Sequence, residues 1–478
     1  MSTQETYQSP FSQRYASREM QGLFSDRHRA GLWRRLWLWL AQGEQALGLD
    51  ISDAQLEQME AQLDRIDFEA AGNYEKALRH DVMAHVHAFG DACPLARPII
   101  HLGATSCYVG DNADIMILRD AMLLIQARLA TVARALYAFA DAHKALPCLG
   151  YTHFQPAQPV TVGKRAALWL QDVLSDLQQV SGFIAALRPL GSKGTTGTQA
   201  SFLALFEGDY DKVRQLDLMV SRSMGFEQPA AVSGQTYSRK VDSRALGLLA
   251  QIGQSAHKFS NDIRLLASLK EVEEPFELNQ VGSSAMAYKR NPMRAERMAS
   301  LSRFLIINQQ NAAMTAAEQW LERTLDDSAN RRVAIAEGFL AADGVLMLYS
   351  NVASGLVVYP QMMRKHLMEE LPFMATENIL MDAVRLGGDR QDLHELIRVH
   401  AQAAAQEVKL KGNPNDLLER IAGDPAFKLD MDTIRRTLRP ENFIGCAAMQ
   451  VEDYLRGEAG EILSRYADTV PPQEDISV

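Results

Sequence analysis

One stretch of the sequence combines small hydroxyl side chains with concentrated positive charge. Residues 281–296, VGSSAMAYKRNPMRAE, begin with Gly-Ser-Ser after the valine and then place Lys289, Arg290 and Arg294 within six residues. The Asn-Pro pair at 291–292 predicts a helix start, because Asn is a good N-cap and Pro suits the first helical position. The positive end of that helix favours an anion. The pattern predicts a flexible anion-binding loop, although a plain surface loop with a good cap fits it too.

A second candidate site is the histidine in YTHFQPAQP, residues 151–159. His153 lies in a predicted Pro-bounded loop just before a long helical stretch. Histidine exchanges protons near neutral pH and therefore suits general acid or base catalysis. A single loop histidine is also compatible with an inert surface position.

A third candidate is the arginine-rich stretch ERTLDDSANRR, residues 322–332. Its Asp-Asp-Ser core predicts a corner between two helices, with Asp or Ser as the cap. Arg323, Arg331 and Arg332 bring guanidinium groups to that corner, and such groups bind carboxylates and phosphates bidentately. A solvated helical hairpin is the alternative interpretation.

Two further stretches carry chemistry-bearing residue types in weaker patterns. In LRHDVMAHVH, residues 78–87, the histidines and Asp81 fit no common metal spacing, so a polar-ligand, capping or packing role is favoured over a metal site. In GSKGTTGTQAS, residues 191–201, Gly and Thr could wrap an anion, but the GK[ST] ending of a P-loop is missing. A turn-rich connector fits the second stretch equally well.

Long helices are predicted to position these residues. Residues 111–146 contain no Gly or Pro and carry apolar residues at spacings of three and four, and Pro147 ends the stretch. That apolar seam consists of Ile115, Leu118, Met122, Ile125, Leu129, Val132, Leu136 and Phe139. Further helices are predicted over 159–187, 241–269, 292–325 and 326–356. Helices of this length need each other's apolar faces, so a long bundle is expected, with coiled-coil-like packing that extends to contacts between subunits.

The predicted fold class is all-α, with three helical domains. The N-terminal helical domain spans 1–105, the central long-helix bundle spans 106–358, and the C-terminal helical domain spans 359–478. The last of these has shorter helices and frequent turn signals. Strand-like alternation is scarce.

Composition excludes several classes of function. The formal net charge of −10 argues against nucleic-acid binding, which requires a basic face. The four cysteines are far apart and form no CxxC pair, which predicts reduced thiols and a cytoplasmic protein. No signal peptide is recognisable, no segment is expected to reach transmembrane length, and no membrane partner is predicted.

Several separated blocks together resemble one enzyme family. GSSAMAYKRNP resembles the fumarase/aspartase superfamily signature, which in general form is GSSxMPxKxNP. Within that superfamily the chain resembles the adenylosuccinate lyase family, in its animal-type branch, over nearly the whole length. The blocks that carry the resemblance are RYAS at 14–17, RHDVMAHVH at 79–87, HLGATSCYVGDN at 101–112, THFQPAQ at 152–158, KGTTGTQASF at 193–202, GQTYSRK at 234–240 and RTLDDSANRR at 323–332. Agreement at so many places in the same order is not expected by chance.

The resemblance implies a role for each matching position. His153 corresponds to the general acid, Ser283 to the general base, and Lys289 to the lysine that stabilises the carbanion-like intermediate. The positions that correspond to nucleotide- or succinyl-binding residues are Arg14, Tyr15, Arg79, His80, Asp81, Thr105, Ser106, Gln235, Arg297, Arg323, Ser328 and Arg332.

The resemblance also implies the reaction and the assembly. The expected reaction is β-elimination of fumarate from adenylosuccinate, giving AMP, and from SAICAR, giving AICAR, with no metal and no organic cofactor. The expected assembly is a homotetramer built on the central bundles, with each active site formed by three subunits. Another fumarate-releasing lyase of the superfamily and a non-catalytic helical scaffold remain as alternatives. The extra motif blocks disfavour the first, and the intact His153, Ser283 and Lys289 disfavour the second.

The expected chemistry matches the residue types. Removing a proton beside a carboxylate develops negative charge, which Lys289 and the following helix start are expected to stabilise. His153 is expected to protonate the departing nitrogen. Ser283 becomes a base only in a closed site where its alkoxide is stabilised. The chain has Ala287 where the signature has proline, which predicts a functional but less preorganised loop.

Overall fold

The computed structural model describes residues 5–277, 280, 285–286 and 288–472. Within these residues the chain forms nineteen α-helices and two short antiparallel strand pairs, which confirms the all-α fold class. The helices are α1 (Arg18–Leu23), α2 (Asp26–Ala46), α3 (Asp53–Ala61), α4 (Phe68–Leu78), α5 (Asp81–Ala92), α6 (Ser106–Ala142), α7 (Val162–Ala186), α8 (Ala200–Leu205), α9 (Tyr210–Ser223), α10 (Lys240–Ser268), α11 (Met293–Ala317), α12 (Asp327–Ser354), α13 (Pro360–Met374), α14 (Thr376–Arg385), α15 (Arg390–Lys411), α16 (Leu417–Gly423), α17 (Met431–Thr437), α18 (Ala447–Tyr454) and α19 (Gly460–Ser464). The strands are β1 (Pro147–Thr152), β2 (Gln155–Thr161), β3 (Val272–Glu273) and β4 (Val357–Val358).

Five long helices, α6, α7, α10, α11 and α12, pack against one another as the predicted bundle. The longest, α6, has 37 residues, and the predicted apolar seam runs along it. Every seam residue is at most 9% exposed, so the helical periodicity identified core positions correctly. Burial of that seam stabilises a helix far longer than intrinsic propensity alone would hold.

Helix α11 ends earlier than the sequence predicted. The predicted helix extended to residue 325, whereas α11 ends at Ala317 and Leu321 has a φ of 48°. A positive φ at a leucine interrupts helical geometry. Trp320 and Leu321 are 70% and 97% exposed, so burial of their side chains does not stabilise a longer helix within this chain.

Helix α12 corrects the expectation that no segment reaches transmembrane length. Asp327–Ser354 contains a window with a mean hydropathy of 1.5, long and apolar enough to span a bilayer by length and composition. Within the fold, 72% of that window is buried against other parts of the chain. Its apolar character is accounted for by its place at the centre of the bundle.

The segment around His153 is a β-hairpin rather than the predicted loop. Strand β1 pairs antiparallel with β2, and the register shifts between Leu149 and Tyr151. His153 and Phe154 form the turn with φ values of 53° and 57°. Short paired strands with a tight turn hold this histidine in a defined position beyond the C-terminal end of α6.

The apolar side chains form two separate cores. The larger core includes the bundle helices and also the segment 451–462 near the C-terminus. The buried residues of the smaller core all lie between 371 and 438. After that unit the chain returns to the bundle, where Arg134 on α6 donates hydrogen bonds to the backbone oxygens of Tyr466 and Thr469. The domain limits given by the sequence remain predictions.

Candidate active site

A cavity of about 660 Å³ lies at the end of the bundle where several helices begin. The first residues of α5, α6 and α12 (Asp81, Ser106 and Asp327) all line it. Helix N-termini carry partial positive charge, so their convergence favours anionic groups. Eight of the residues predicted to bind substrate line this cavity: Arg79, His80, Asp81, Ser106, Gln235, Arg323, Ser328 and Arg332.

The floor of the cavity is a buried ion-pair network centred on Arg239. Its guanidinium lies 2.9 Å from Asp111 and 2.6 Å from Asp327, and the Arg239 side chain is 2% exposed. Arg323 pairs with the other oxygen of Asp327 at 2.9 Å. Buried charges are tolerated only when they are paired with good geometry, so this network fixes the floor.

A second set of contacts surrounds Arg331. Its guanidinium bonds to Asp242 at 2.7 Å and to Asp114 at 3.0 Å, and it also donates to the Tyr237 hydroxyl. Burial raises the pKa of Tyr237 well above its usual value, so the phenol stays protonated and donates to Asp242 at 2.7 Å. Burial alone would raise the pKa of Asp114, but Arg331 and Arg29 lower it, and the carboxylate stays charged. Arg331 therefore supports the cavity, and its donors are used inside the protein.

Sequence reasoning missed most of these floor residues. The overlooked signal was a pair of carboxylates near the start of α6, Asp111 and Asp114, three residues apart and hence on one helical face. Charged residues at core positions imply charged partners. The partners, Arg239 and Arg331, are more than one hundred residues away and are found only in the folded chain.

The rim of the cavity carries groups that face solvent. The His80 ring lies 3.2 Å from the Ser106 hydroxyl through Nε2, while its Nδ1 accepts the Met83 amide as a cap of α5. Arg332 is 3.2 Å from Asp81, and its side chain is 67% exposed. These exposed groups contrast with the floor, because a ligand can bind them without breaking a buried pair.

Several predicted site residues lie outside this cavity. Within the described residues its lining does not include the predicted positions His153, Lys289, Arg14, Tyr15, Thr105 and Arg297. Thr105 is the cap residue of α6, next to Ser106 in the lining. Arg14 and Tyr15 belong to a short helical turn at Phe11–Tyr15 that packs on α12. Ser283 and Ala287 fall outside the described residues.

The predicted general acid is displayed on the surface. His153 is exposed at the hairpin turn, beside Phe154, which is 56% exposed and stacks on Tyr151 at 5.8 Å between ring centroids. Lys289 is likewise exposed, in the segment that leads into α11. Neither side chain lies in the cavity that collects eight of the other predicted residues.

The predicted anion site at the start of α11 is occupied by the protein itself. Helix α11 begins at Met293, and Pro292 occupies the cap position, so the predicted Asn291 cap with Pro292 as first helical residue is wrong. The Pro292 ψ of 62° is not helical. The Glu274 carboxylate accepts the first free amides of the helix, and the guanidinium of Arg294 is buried against Glu277. The positive helix end is therefore already neutralised.

The start of the Gly/Thr-rich stretch at 191–201 is also satisfied internally. The Asp217 carboxylate accepts the Ser192 amide at 2.8 Å and is paired with the Lys193 ammonium. All three side chains are buried. The stretch thus begins by wrapping a carboxylate of the protein, which favours the connector interpretation.

Full-length relatives identify the family. The adenylosuccinate lyase of Saccharomyces cerevisiae is 50% identical over 465 residues, which cover 97% of this chain and 96% of that protein. The adenylosuccinate lyase of Schistosoma mansoni is 47% identical over 476 residues, with 99% of each chain covered. The chain belongs to the adenylosuccinate lyase family. Both relatives are eukaryotic, and the animal-type branch stays a prediction.

Two family profiles agree with this membership, and a solved structure shares the fold. The lyase profile matches residues 62–305, and the profile of the adenylosuccinate lyase C-terminus matches residues 372–454. A structural neighbour is the 3-carboxy-cis,cis-muconate lactonizing enzyme of Pseudomonas putida, with a TM-score of 0.80 and 23% identity over 96% of this chain and 100% of that one. That structural likeness shows the shared fold. The sequence relatives and the lyase profile show that this member of the adenylosuccinate lyase family is a lyase.

Proposed function

We propose that the protein cleaves adenylosuccinate to AMP and fumarate, and SAICAR to AICAR and fumarate, in purine nucleotide biosynthesis. What carries the proposal is the convergence of four separated motif blocks on one cavity: residues 79–81, Ser106, Gln235 and residues 323–332. Each substrate carries two carboxylates and a phosphate. The exposed cations at the rim and the start of α6, which has no side-chain cap within the described residues, suit such groups.

The proposed reaction is a β-elimination. A base removes a proton from the carbon next to a carboxylate, the electron pair forms the carbon–carbon double bond, and the C–N bond breaks with its electrons leaving on nitrogen. Ser283 is the proposed base, and His153 donates a proton to the departing nitrogen. Glu274 neutralises the start of α11, and Lys289 is the proposed group that stabilises the charge that develops on the carboxylate.

The proposed assembly is a homotetramer in which each active site uses residues of three subunits. Two observations support this. His153 and Lys289 are exposed outside the cavity that they are proposed to complete. The bundle also presents apolar side chains to solvent, with Ile307 and Met314 on α11 and Val333 on α12 between 61% and 68% exposed. Such exposure is typical of surfaces that pair with another chain.

A cytoplasmic location is part of the proposal. The four cysteines are free thiols, and Cys93, Cys107 and Cys148 are buried. Burial raises the pKa of Cys107 to about 12, so this cavity thiol stays protonated. Unpaired thiols suit a reducing compartment.

The decisive experiment is to add the purified protein to adenylosuccinate and, separately, to SAICAR. Fumarate should form in both reactions, together with the ultraviolet change that accompanies formation of AMP or AICAR. Fumarate from argininosuccinate instead would favour another lyase of the superfamily. No fumarate from any of these substrates would favour a non-catalytic scaffold.

A further inference from the structure

Hydrogen bonds and ion pairs connect the two segments that flank residues 278–289, and we call these two segments together the neck. The neck consists of residues 273–277 on one side and residues 290–295 on the other. Carboxylates come from the first segment, and their partners come mainly from the second. The predicted catalytic lysine, Lys289, directly adjoins the second segment.

Glu274 makes the central contact of the neck. Its Oε1 accepts the Arg294 amide at 3.0 Å, and its Oε2 accepts the Ala295 amide at 2.9 Å. The residue is 5% exposed, so both hydrogen bonds form away from bulk water. A carboxylate that accepts two amides at a helix N-terminus gains from charge-assisted hydrogen bonds and from the helix dipole. Glu274 therefore fixes where α11 begins.

Further contacts surround this pair and tie the neck to the segment that follows α12. Arg294 donates to Glu277 at 2.5 Å and to the Pro275 oxygen at 3.0 Å. Arg290 lies 3.7 Å from Glu273, which also accepts the Tyr359 hydroxyl at 2.9 Å. Strand β3 pairs with β4, so the first segment is anchored next to α13.

Backbone hydrogen bonds connect the start of α11 to the segment that contains Lys289. The Met293 amide donates to the Asn291 oxygen at 2.8 Å, and the Lys289 amide donates to the Met286 oxygen at 3.0 Å. Only a few residues in tight turns separate Lys289 from the amides that Glu274 holds. A shift of the start of α11 therefore displaces the Lys289 backbone.

We propose that Glu274 is a positioning residue for Lys289. It does not touch substrate; it holds the start of α11, and thereby sets where the Lys289 ammonium stands relative to the developing charge. Misplacing a catalytic group by about 1 Å costs as much as 10²-fold in rate. The inference rests on the proposed function, because it assigns Lys289 its role in the elimination.

Glu274→Gln tests the proposal with little change in side-chain shape. The amide keeps one acceptor but places an NH2 group against the second helical N–H, and the charge is lost. We expect kcat to fall about 10- to 100-fold, with KM changed by less than about twofold, because the substrate-binding cavity lies elsewhere. Asp389→Asn is the control at an exposed helix cap. Asp389 caps α15 by accepting the Gln391 amide at 2.8 Å and the Asp392 amide at 3.1 Å, far along the chain from the neck.

The comparison of the two variants separates positioning from general stability. Asp389→Asn should lower the melting temperature less than Glu274→Gln, because Asp389 is exposed and Glu274 is buried, and only Glu274→Gln should lose turnover. Glu274→Asp, which keeps the charge, should recover part of the lost kcat. A Glu274→Gln enzyme with kcat within about twofold of the unaltered protein would overturn the proposal. So would an equal loss of kcat in Asp389→Asn.

Hydrogen exchange distinguishes failure of this inference from failure of the proposed function. If the unaltered protein releases no fumarate, the proposed function fails, and exchange at the start of α11 still tests the role of Glu274. Faster amide exchange in Glu274→Gln, confined to peptides that cover residues 286–298, would support the fixation. Unchanged exchange there would refute it.

Discussion

The cavity floor consists of buried, paired charges, whereas the two catalytic candidates, His153 and Lys289, are exposed to solvent. At the floor, Arg239 is 2% exposed and its charge is matched by two aspartates. At the hairpin turn and before α11, His153 and Lys289 stand in solvent. The floor is complete within one chain, whereas the proposed function requires another subunit to bring the substrate to the exposed groups.

The difference shows which side chains of the site depend on correctly placed partners and which do not. Buried charges lose hydration, so the floor exists only if every partner is placed correctly. Exposed side chains bear no such cost and are free to serve an interface or a ligand. Changes at the floor should therefore alter stability, and changes at the exposed groups should alter turnover alone.

The largest expected effect is on turnover, from His153→Ala. We expect kcat to fall about 10²- to 10⁴-fold, because a general acid is lost. The melting temperature should not change, since His153 is exposed. His394→Ala, an exposed histidine on α15, is the control and should leave kcat unchanged. Near-normal turnover in His153→Ala would refute its role as the acid.

Mixing two inactive variants sharpens the same comparison. If His153 and Lys289 of different subunits complete one cavity, unfolding and refolding His153→Ala together with Lys289→Ala should restore part of the activity. Each variant refolded alone should stay inactive. Absence of recovery, with mixed tetramers demonstrated by mass spectrometry, would contradict shared active sites.

The next effect concerns the stability of the floor. Arg239→Met leaves Asp111 and Asp327 without their shared partner, and the free energy of unfolding should fall by about 3–5 kcal/mol. Arg398→Met is the control, because Arg398 pairs with Glu395 on the exposed face of α15 and should matter little. Urea unfolding followed by circular dichroism measures both. Equal losses in the two variants would break the distinction between the regions.

A pH dependence of stability should come from the buried part of the protein. Glu44 on α2 is fully buried, and its carboxyl oxygens have no hydrogen-bond partner in the described part of the chain. Burial raises its pKa from 4.5 to about 8. The folded state thus keeps a proton that the unfolded state loses, so stability should fall as pH rises between about 4.5 and 8, by at most about 1.4 kcal/mol per pH unit.

Glu44→Gln should flatten that slope. The melting temperature of the unaltered protein, followed from pH 5 to 8, should decline more steeply than that of the variant. Glu60→Gln, at an exposed position on α3, should keep the original slope. Parallel curves for Glu44→Gln and the unaltered protein would show that Glu44 does not titrate in this range.

The smallest expected effect is on substrate affinity, at the rim. Arg332→Ala removes an exposed cation from the cavity, and KM should rise about tenfold, as for the loss of a charge-assisted hydrogen bond. The melting temperature should hardly change. Arg385→Ala, which breaks an exposed pair with Asp382 on α14, should leave KM unaltered. An unchanged KM for Arg332→Ala would remove Arg332 from the binding set.

The bundle was predictable because periodicity reports burial directly. The seam from Ile115 to Phe139 was correct at every position. The end of α11 and the β1–β2 hairpin were missed, because both depend on positive φ values at non-glycine residues that no local pattern signals: Leu321, His153 and Phe154. Helix boundaries of this kind are decided by tertiary packing.

The candidate site divides in a similar way. Motif blocks indicated Arg79, His80, Asp81 and the 323–332 corner, and the fold brings them together. The floor pairs escaped notice because each partner is ordinary in its own segment. The anion preference of α11 was assigned to a ligand, whereas Glu274 fills that position from the other side of the neck.

The sequence by itself determined the helical class, the core seam and the family, because these are written in local periodicity and in ordered motif blocks. Only the tertiary structure decided which charges are used inside the protein and which face outward. Charge pairing acts through space over a few ångströms, and residues such as Asp111 and Arg239 become neighbours only when the chain folds. That distinction makes Arg332 available to a ligand and commits Arg331 to the scaffold.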